Sequence, residues 1–308
     1  MQILNLEAQQ KAKDFIFTHG RPLERARYAY HFEDGAAEAV FAELAKFQTP
    51  DGGFGHGLEP DLRLPDSSVL ATTVGLQILR EVAAPPDHPL VRGAMRALLH
   101  TFDPAAMAWP IIPPHTDDAP HAPWWTYSDT VAASWNHFLV NPRVEIIGYL
   151  YDYAPPGLPA WVRETLTAAA VAYPDEHPDK VQMFDLLCYD RLIKTRALPE
   201  ATRKALIEKL LPLADQRVAK DPAEWEKYTL TPLELVDAPD SPFAGLLADA
   251  VAQNLDFEIA HQGNDGAWHP KWLWYGLYPD TWPTAEREWA GVITLRTLQT
   301  LRKFGRLA

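Results

Sequence analysis

Two stretches of this chain share a sequence pattern that joins one helix to the next. Residues 48–54 (QTPDGGF) and residues 262–268 (QGNDGAW) both consist of Gln, two spacers, Asp-Gly, one further residue and an aromatic. In this pattern Gln closes a helical turn, Asp-Gly permits a positive φ, and the aromatic folds back onto the hairpin. An amphipathic helical pattern follows each stretch. Because a unit of this kind leaves an apolar face for its neighbour to cover, its recurrence predicts a repeat architecture of helical hairpins.

The spacing of apolar residues predicts eleven helices and almost no strands. Val40, Phe41, Leu44 and Phe47, for example, follow one another at helical intervals. Alternating β-branched residues around two-residue turns, which indicate hairpin strands, are nearly absent. The fold class predicted is therefore all-α. The predicted helices span residues 5–19, 35–48, 67–84, 88–102, 142–154, 159–173, 179–195, 199–218, 231–237, 243–262 and 284–304.

Composition excludes several classes of protein. The net charge of -13 argues against nucleic acid as a partner, because phosphate binding needs clustered Lys and Arg. The single cysteine, Cys188, rules out internal disulfides and Cys-rich zinc sites and is expected to be a structural thiol. The chain shows neither a signal-peptide pattern nor an apolar run long enough for a membrane span. We therefore expect a cytoplasmic protein.

Residues 47–79 (FQTPDGGFGHGLEPDLRLPDSSVLATTVGLQIL) resemble one repeat of the prenyltransferase β-subunit and squalene-cyclase superfamily. In that superfamily a Gln-x-x-Asp-Gly-Gly-Phe-Gly turn leads to an inner helix that opens with Asp and a Ser/Thr cluster. The resemblance implies an (α/α)6 toroid around a central cavity, formed by residues 1–308 as a single domain. A Pro- and Trp-rich insertion interrupts it at about 104–140. The superfamily's Asp-x-Asp-Asp and Asp-Asp-x-x-Asp motifs are missing, so no metal or cofactor is expected.

In such a ring, the loops before the inner helices meet at one mouth of the cavity. The loop of residues 55–66 places acids and a histidine there, and a protonated carboxylic acid in an aromatic pocket can protonate an alkene. We predict Glu59, Asp61 and Asp66 as candidate catalytic acids and His56 as a binding residue. The competing expectation is that Asp66 caps the helix and that Arg63 pairs with Glu59 or Asp61.

Two aromatic segments complete the predicted site. Residues 109–141 contain His115-Thr116-Asp117-Asp118, which we expect to be a chance match to the acid motif, and a Trp135-Asn136-His137 run. We expect the insertion to fold over the cavity as a lid or wall. Residues 268–286 bring tryptophans next to carboxylates, which suits cation–π contact or stacking on a sugar. The predicted binding residues are Trp124, Trp125, Tyr127, Trp272, Trp274, Trp282 and Glu286, with Asp280 as a further candidate acid.

Three functions stay open on this evidence. The first is a metal-independent enzyme, similar to a terpenoid cyclase or prenyltransferase, that acts on a hydrophobic, isoprenoid-type molecule. The second is a carbohydrate-active α/α-barrel hydrolase or lyase, which would pair Asp61 or Asp66 with Asp280 or Glu286. The third is a non-catalytic binding protein that retains the fold. All three make a small molecule the expected partner.

Overall fold

A computed structural model describes residues 1–134, 140–153 and 157–308 of the chain. Within these ranges the chain forms thirteen α-helices, and its β pairing consists of isolated bridges. The all-α prediction is confirmed. The residues group into two compact units, one made of Met1–Glu43 with Ala214–Ala308 and the other of Leu44–Leu213. That residues 1–308 form a single domain stays a prediction.

The first unit brings the two ends of the chain together. Helix α13 packs against α1 and α2, and α11 packs against α12. Beside α1, the backbone N–H of Leu4 donates to the carbonyl of Arg306 at 2.8 Å. The Arg306 guanidinium also binds the Gln2 carbonyl and the Asp256 carboxylate, at 2.8 and 2.6 Å. The helices of this unit are α1 (Leu6–His19), α2 (Pro22–Phe32), α11 (Pro232–Leu235), α12 (Ala248–Ala260) and α13 (Trp282–Lys303).

Helix α2 was not among the helices predicted from the sequence. Its buried side includes Glu24 and Arg27 beside Leu23 and Tyr28, so an apolar stripe is interrupted by charge. Glu24 is fully buried and pairs with Arg21 at 2.7 Å. A buried ion pair on the inward face conceals the periodicity by which an amphipathic helix is identified.

The second unit is built around α7, which packs against α4, α8 and α9, while α4 also packs against α5. Ser68 begins α4: its side-chain oxygen accepts the backbone N–H of Ala71 at 3.0 Å. The unit's helices are α4 (Val69–Glu81), α5 (Pro89–Thr101), α6 (Asp129–Ser134), α7 (Arg143–Asp152), α8 (Ala160–Glu176) and α9 (Met183–Ile193). The divisions between the two units fall within α3 (Ala37–Leu44) and α10 (Glu200–Arg217).

The two repeated turns have the same internal hydrogen bonds. The Gln48 side-chain amide donates to the Gly52 carbonyl at 2.9 Å, and that of Gln262 donates to the Gly266 carbonyl at 2.8 Å. Both glycines have positive φ, 96° and 92°, a backbone conformation that residues with a Cβ rarely adopt. The Asp-Gly pattern therefore produces the tight turn that the sequence predicts.

Each turn is also tied in the same way to the helix that follows it. The backbone N–H of Phe54 donates to the Thr72 hydroxyl in α4, and the N–H of Trp268 donates to the Thr294 hydroxyl in α13, both at 3.0 Å. Both threonines are buried. The repeat is thus a three-part device of turn, aromatic and helical threonine.

A second helix receives each turn. Gln48 donates to the Leu90 carbonyl of α5 at 3.1 Å, and Gln262 donates to the Ala8 carbonyl of α1 at 2.9 Å. Helix α1 therefore occupies in one repeat the place that α5 occupies in the other. Although α1 comes first in the chain, it packs beside α13 as α5 packs beside α4.

Candidate functional site

The loop of residues 55–66 lies against the Pro- and Trp-rich insertion in the second unit. The backbone N–H of Arg63 donates to the Pro120 carbonyl at 2.9 Å, and that of Ala122 donates to the Asp61 carbonyl at 2.8 Å. Around these bonds Leu62 and Leu64 of the loop pack with residues 111, 112 and 119, and the half-buried Trp125 and Tyr127 pack on this cluster. The insertion therefore lies against the loop, and its role as a lid or wall over a cavity stays a prediction.

The loop holds two of the predicted acids away from solvent. Asp61 is 3 % exposed and Glu59 is 8 % exposed. Acidic side chains are almost never buried to this extent unless they are protonated or paired, because removing a carboxylate from water is costly. The His56 side chain, by contrast, is exposed, and its backbone has a φ of 53°. Glu59 and Asp61 are therefore the predicted acids that the fold keeps away from solvent.

Asp66 has a different position from the one expected. It does not cap α4, because Ser68, two residues later, is the N-cap. Its exposed carboxylate instead lies 3.0 Å from His115 Nε2 of the insertion. Asp117, in the same segment, accepts the backbone N–H of Tyr127 at 2.9 Å. The His-Thr-Asp-Asp stretch therefore has a structural role: His115 links the insertion to the loop of residues 55–66, and Asp117 forms a hydrogen bond within the insertion.

Arg143, at the first position of α7, is a buried cation that the sequence analysis missed. It is fully buried and donates to the Trp109 carbonyl at 2.9 and 3.3 Å. Burial lowers the pKa of Arg143 to about 10. An isolated Arg at a helix start normally reads as solvent-exposed, so nothing in the sequence marked it. The insertion thus touches both Asp61 and this guanidinium through its backbone.

The remaining aromatic candidates divide between packing and exposure. Trp274 is buried with its ring centroid 5.5 Å from that of Trp282, which is a structural contact. Trp124 is 43 % exposed. The Trp135-Asn136-His137 run lies outside the described residues.

The four acids proposed for paired catalysis fall in two places. Asp61 and Asp66 belong to the second unit, whereas Asp280 and Glu286 belong to the first. Asp280 is exposed just before α13, and Glu286 is half-buried in its first turns. Their pairing across the units stays a prediction.

Trp272 lines a pocket of about 340 Å³ in the first unit, between α11, α12 and α13. Three carboxylates that the sequence analysis did not select line the same pocket: Glu226, Glu234 and Glu258. The backbone N–H of Thr231 donates to Glu234 at 2.9 Å, a capping box that the spelling Thr-Pro-Leu-Glu could have revealed. Glu258 has no such signal, because an acid within a helix usually faces solvent.

A wider groove of about 610 Å³ lies between α8 and α10 in the second unit. It is lined by small residues such as Ala168 and Ala172 and by three acids, Glu164, Asp175 and Glu176. All three acids are exposed and Asp175 pairs with Lys209, so burial activates none of them.

Comparisons with family models, curated proteins and solved structures find no significant match to this chain. None of the helices in the described part of the chain combines the length and the apolar composition that a membrane span requires. Among the described residues, no three His, Cys, Asp or Glu side chains are grouped so that they could hold a metal ion.

Proposed function

We propose that this protein is a metal-independent enzyme that binds a hydrophobic, isoprenoid-type small molecule and donates a proton to it from Asp61, with Glu59 beside it in sequence. The observation that carries this proposal is the burial of both carboxyl groups on an irregular loop beneath an apolar cluster. A loop normally keeps its acids in solvent, so the burial of two acids on one loop supports the proposal of a site here.

The proposed chemistry is an acid-initiated rearrangement. The carboxyl proton of Asp61 passes to one alkene carbon, the π electrons form the new C–H bond, and the other carbon becomes a carbocation. Aromatic side chains such as Trp125 and Tyr127, which pack on the same cluster, would stabilise that cation through their ring faces. Loss of a proton from a neighbouring carbon to the Asp61 carboxylate forms a new double bond and restores the acid.

We also propose that the helices form a six-hairpin ring. With α2 added, twelve helices besides the short α6 can alternate between outer and inner positions. The inner set would be α2, α4, α7, α9, α11 and α13, and α1, the helix predicted at 5–19, would be outer. Within the units, contacts of α13 with α2 and of α7 with α4 and α9 support this order, as does the equivalence of α1 with α5.

Native mass spectrometry with lipid extraction, followed by thermal-shift screening with farnesol, geranylgeraniol and squalene, tests the binding. We expect one isoprenoid to co-purify, or to raise the melting temperature by about 2–4 °C, as roughly 1 kcal/mol of ligand stabilisation would. Failure of all three probes, with no extracted polyprenyl species, would contradict the proposal.

The catalytic role is tested by Asp61→Asn, which removes the proton donor with little change of shape. Conversion of the bound isoprenoid, followed by gas chromatography, should fall by at least about 10²-fold, the usual contribution of general acid catalysis. Asp87→Asn, at an exposed acid of the same unit, serves as the control and should retain activity. Binding without conversion in the wild-type protein would favour the non-catalytic alternative.

A further inference from the structure

The pocket of the first unit is lined by groups that differ from those of the loop site. Its walls are formed by α11, α12 and α13, by the segment that precedes α11, and by the segment that follows α12. Three acidic and three basic side chains line it, so it carries no net formal charge while its histidines are neutral. The acidic ones are Glu226, Glu234 and Glu258, and the basic ones are Lys227, Lys271 and Arg296. A balanced polar lining of this kind favours a neutral, hydrogen-bonding ligand over an ion or a lipid chain.

Aromatic faces form the other part of the wall. Trp268 is held by its indole N–H, which donates to the Glu258 carbonyl at 2.9 Å. Trp272 lies edge to face with Tyr228 and with Trp289, at centroid distances of 5.5 and 5.1 Å. Fixed indole and phenol rings next to polar groups provide stacking surfaces for a sugar ring, whose C–H groups are apolar and whose hydroxyls are polar.

Two buried donors near the pocket have no hydrogen-bond partner among the described residues. One is the Asn254 side-chain amide, whose oxygen accepts the Leu233 N–H at 3.1 Å while its nitrogen is unpaired. Asn254 is fully buried and lies one helical turn before Glu258, on the same side of α12. The other is the indole N–H of Trp289, beside Trp272. Buried donors normally have acceptors, so these two, which do not line the pocket themselves, call for an acceptor such as bound water behind its wall.

Glu258 lies in the pocket wall among other charged groups. Burial, the largest influence, raises the pKa of Glu258. Lys271, which follows the turn, lowers it, Glu234 of α11 raises it, and Arg296 of α13 and His261, directly after α12, lower it. The oxygens of a carboxyl group accept hydrogen bonds, which suits a ligand that carries hydroxyl groups.

We infer that this pocket is a binding site for a neutral, monosaccharide-sized polyol, stacked on Trp272 and hydrogen-bonded by Glu258. The cavity of about 340 Å³ matches a small ring molecule and falls at the lower end of the range of ligand sites. This site is independent of the proposed isoprenoid chemistry, because every residue it uses belongs to the first unit.

Isothermal titration calorimetry at about pH 6 against D-glucose, D-galactose, D-mannose, N-acetyl-D-glucosamine and myo-inositol tests the inference. We expect at least one of these probes to bind with a Kd of about 1 mM or below. Trp272→Ala should weaken that binding by about tenfold through loss of the stacking face. Trp161→Ala, which removes an exposed tryptophan of the second unit, should leave the Kd unchanged.

The role of Glu258 is tested by two substitutions. Glu258→Ala removes the carboxyl group and should weaken binding of the probe by about tenfold. Glu258→Gln keeps a hydrogen-bonding group of the same shape and should retain most of the binding.

Absence of binding by all five probes at about 20 mM would overturn the inference, as would binding that survives both Trp272→Ala and Glu258→Ala. Circular dichroism and thermal melts of each variant establish that it is folded. Because Asp61→Asn leaves this pocket intact, sugar binding that persists in that variant separates the fate of this site from that of the isoprenoid proposal.

Discussion

Among the single residues, Asp185 shows how burial changes an acid at a helix start. It lies in the first turn of α9 and accepts the backbone N–H of Gln182 at 2.9 Å. Burial nevertheless raises the pKa of Asp185 to about 6, against the lowering effect of the backbone N–H groups of Gln182 and Asn141. A carboxyl group whose pKa is higher in the folded state than in the unfolded state contributes stability below the unfolded value, and that contribution is lost as pH rises.

Asp185→Asn should therefore stabilise the protein more at pH 7.5 than at pH 4.5. A fully buried group with this pKa would account for about 3 kcal/mol, and we expect about 1 kcal/mol because Asp185 is half-buried and partly screened. Urea unfolding of both proteins at the two pH values measures the difference. Asp179→Asn, an exposed acid nearby, should show no such change. An equal effect of Asp185→Asn at both pH values would contradict the assignment.

At the scale of elements, the repeated turn is stabilised by one hydroxyl of the following helix. Thr72 and Thr294 are 2 % and 0 % exposed, and each accepts the N–H of the aromatic that ends its turn. The two loops that separate turn from threonine differ in length, yet the bond is the same in both. The contact therefore belongs to the repeat and does not depend on the loop between its two ends.

Thr72→Val and Thr294→Val should each destabilise the fold by about 1–3 kcal/mol, because a buried backbone N–H loses its acceptor while side-chain volume is kept. Thr73→Val is the matched control: Thr73 is equally buried, but its hydroxyl donates only to the Leu70 carbonyl within the same helix. Chemical denaturation compares the three variants. A Thr73 effect as large as the other two would show that the hydroxyls matter only as polar groups in the core.

At the scale of the whole molecule, the first unit is assembled from the two ends of the chain. Ala12, Phe15 and Ile16 of α1 are buried, and α1 packs on both α2 and α13. Residues 214–308 without residues 1–43 would expose the face of α13 that α1 and α2 cover. Folding of this unit therefore requires pairing of segments that are far apart in sequence.

Residues 214–308 produced alone should lack cooperative unfolding, and addition of a peptide of residues 1–43 should restore it. The gain in helical circular dichroism at 222 nm should exceed the sum of the separate spectra. A peptide with Ile16→Asp should fail, because it buries a charge, whereas Gln10→Asp at an exposed position should succeed. Cooperative folding of residues 214–308 alone would show that the N-terminal helices are dispensable.

How far the sequence predicts this protein depends on whether a feature is local. The all-α class and both Asp-Gly turns follow from the sequence, because helical periodicity and positive φ at Gly52 and Gly266 act over a few residues. Helix α2 escaped prediction because Glu24 and Arg21 pair inside the core. The competing expectation that Asp66 caps α4 was wrong by two residues, since the Ser68 side chain caps the helix.

The candidate sites were decided by tertiary structure. A carboxylate in a loop reads the same whether it is buried or exposed, so only packing of the insertion distinguishes Asp61 from the exposed Asp66. Burial likewise lowers the pKa of Arg143 and raises that of Glu258. The sequence by itself determined helices and turns, which are set by local backbone preference. The fold determined which acids lie away from water, because burial depends on what the rest of the chain places around them.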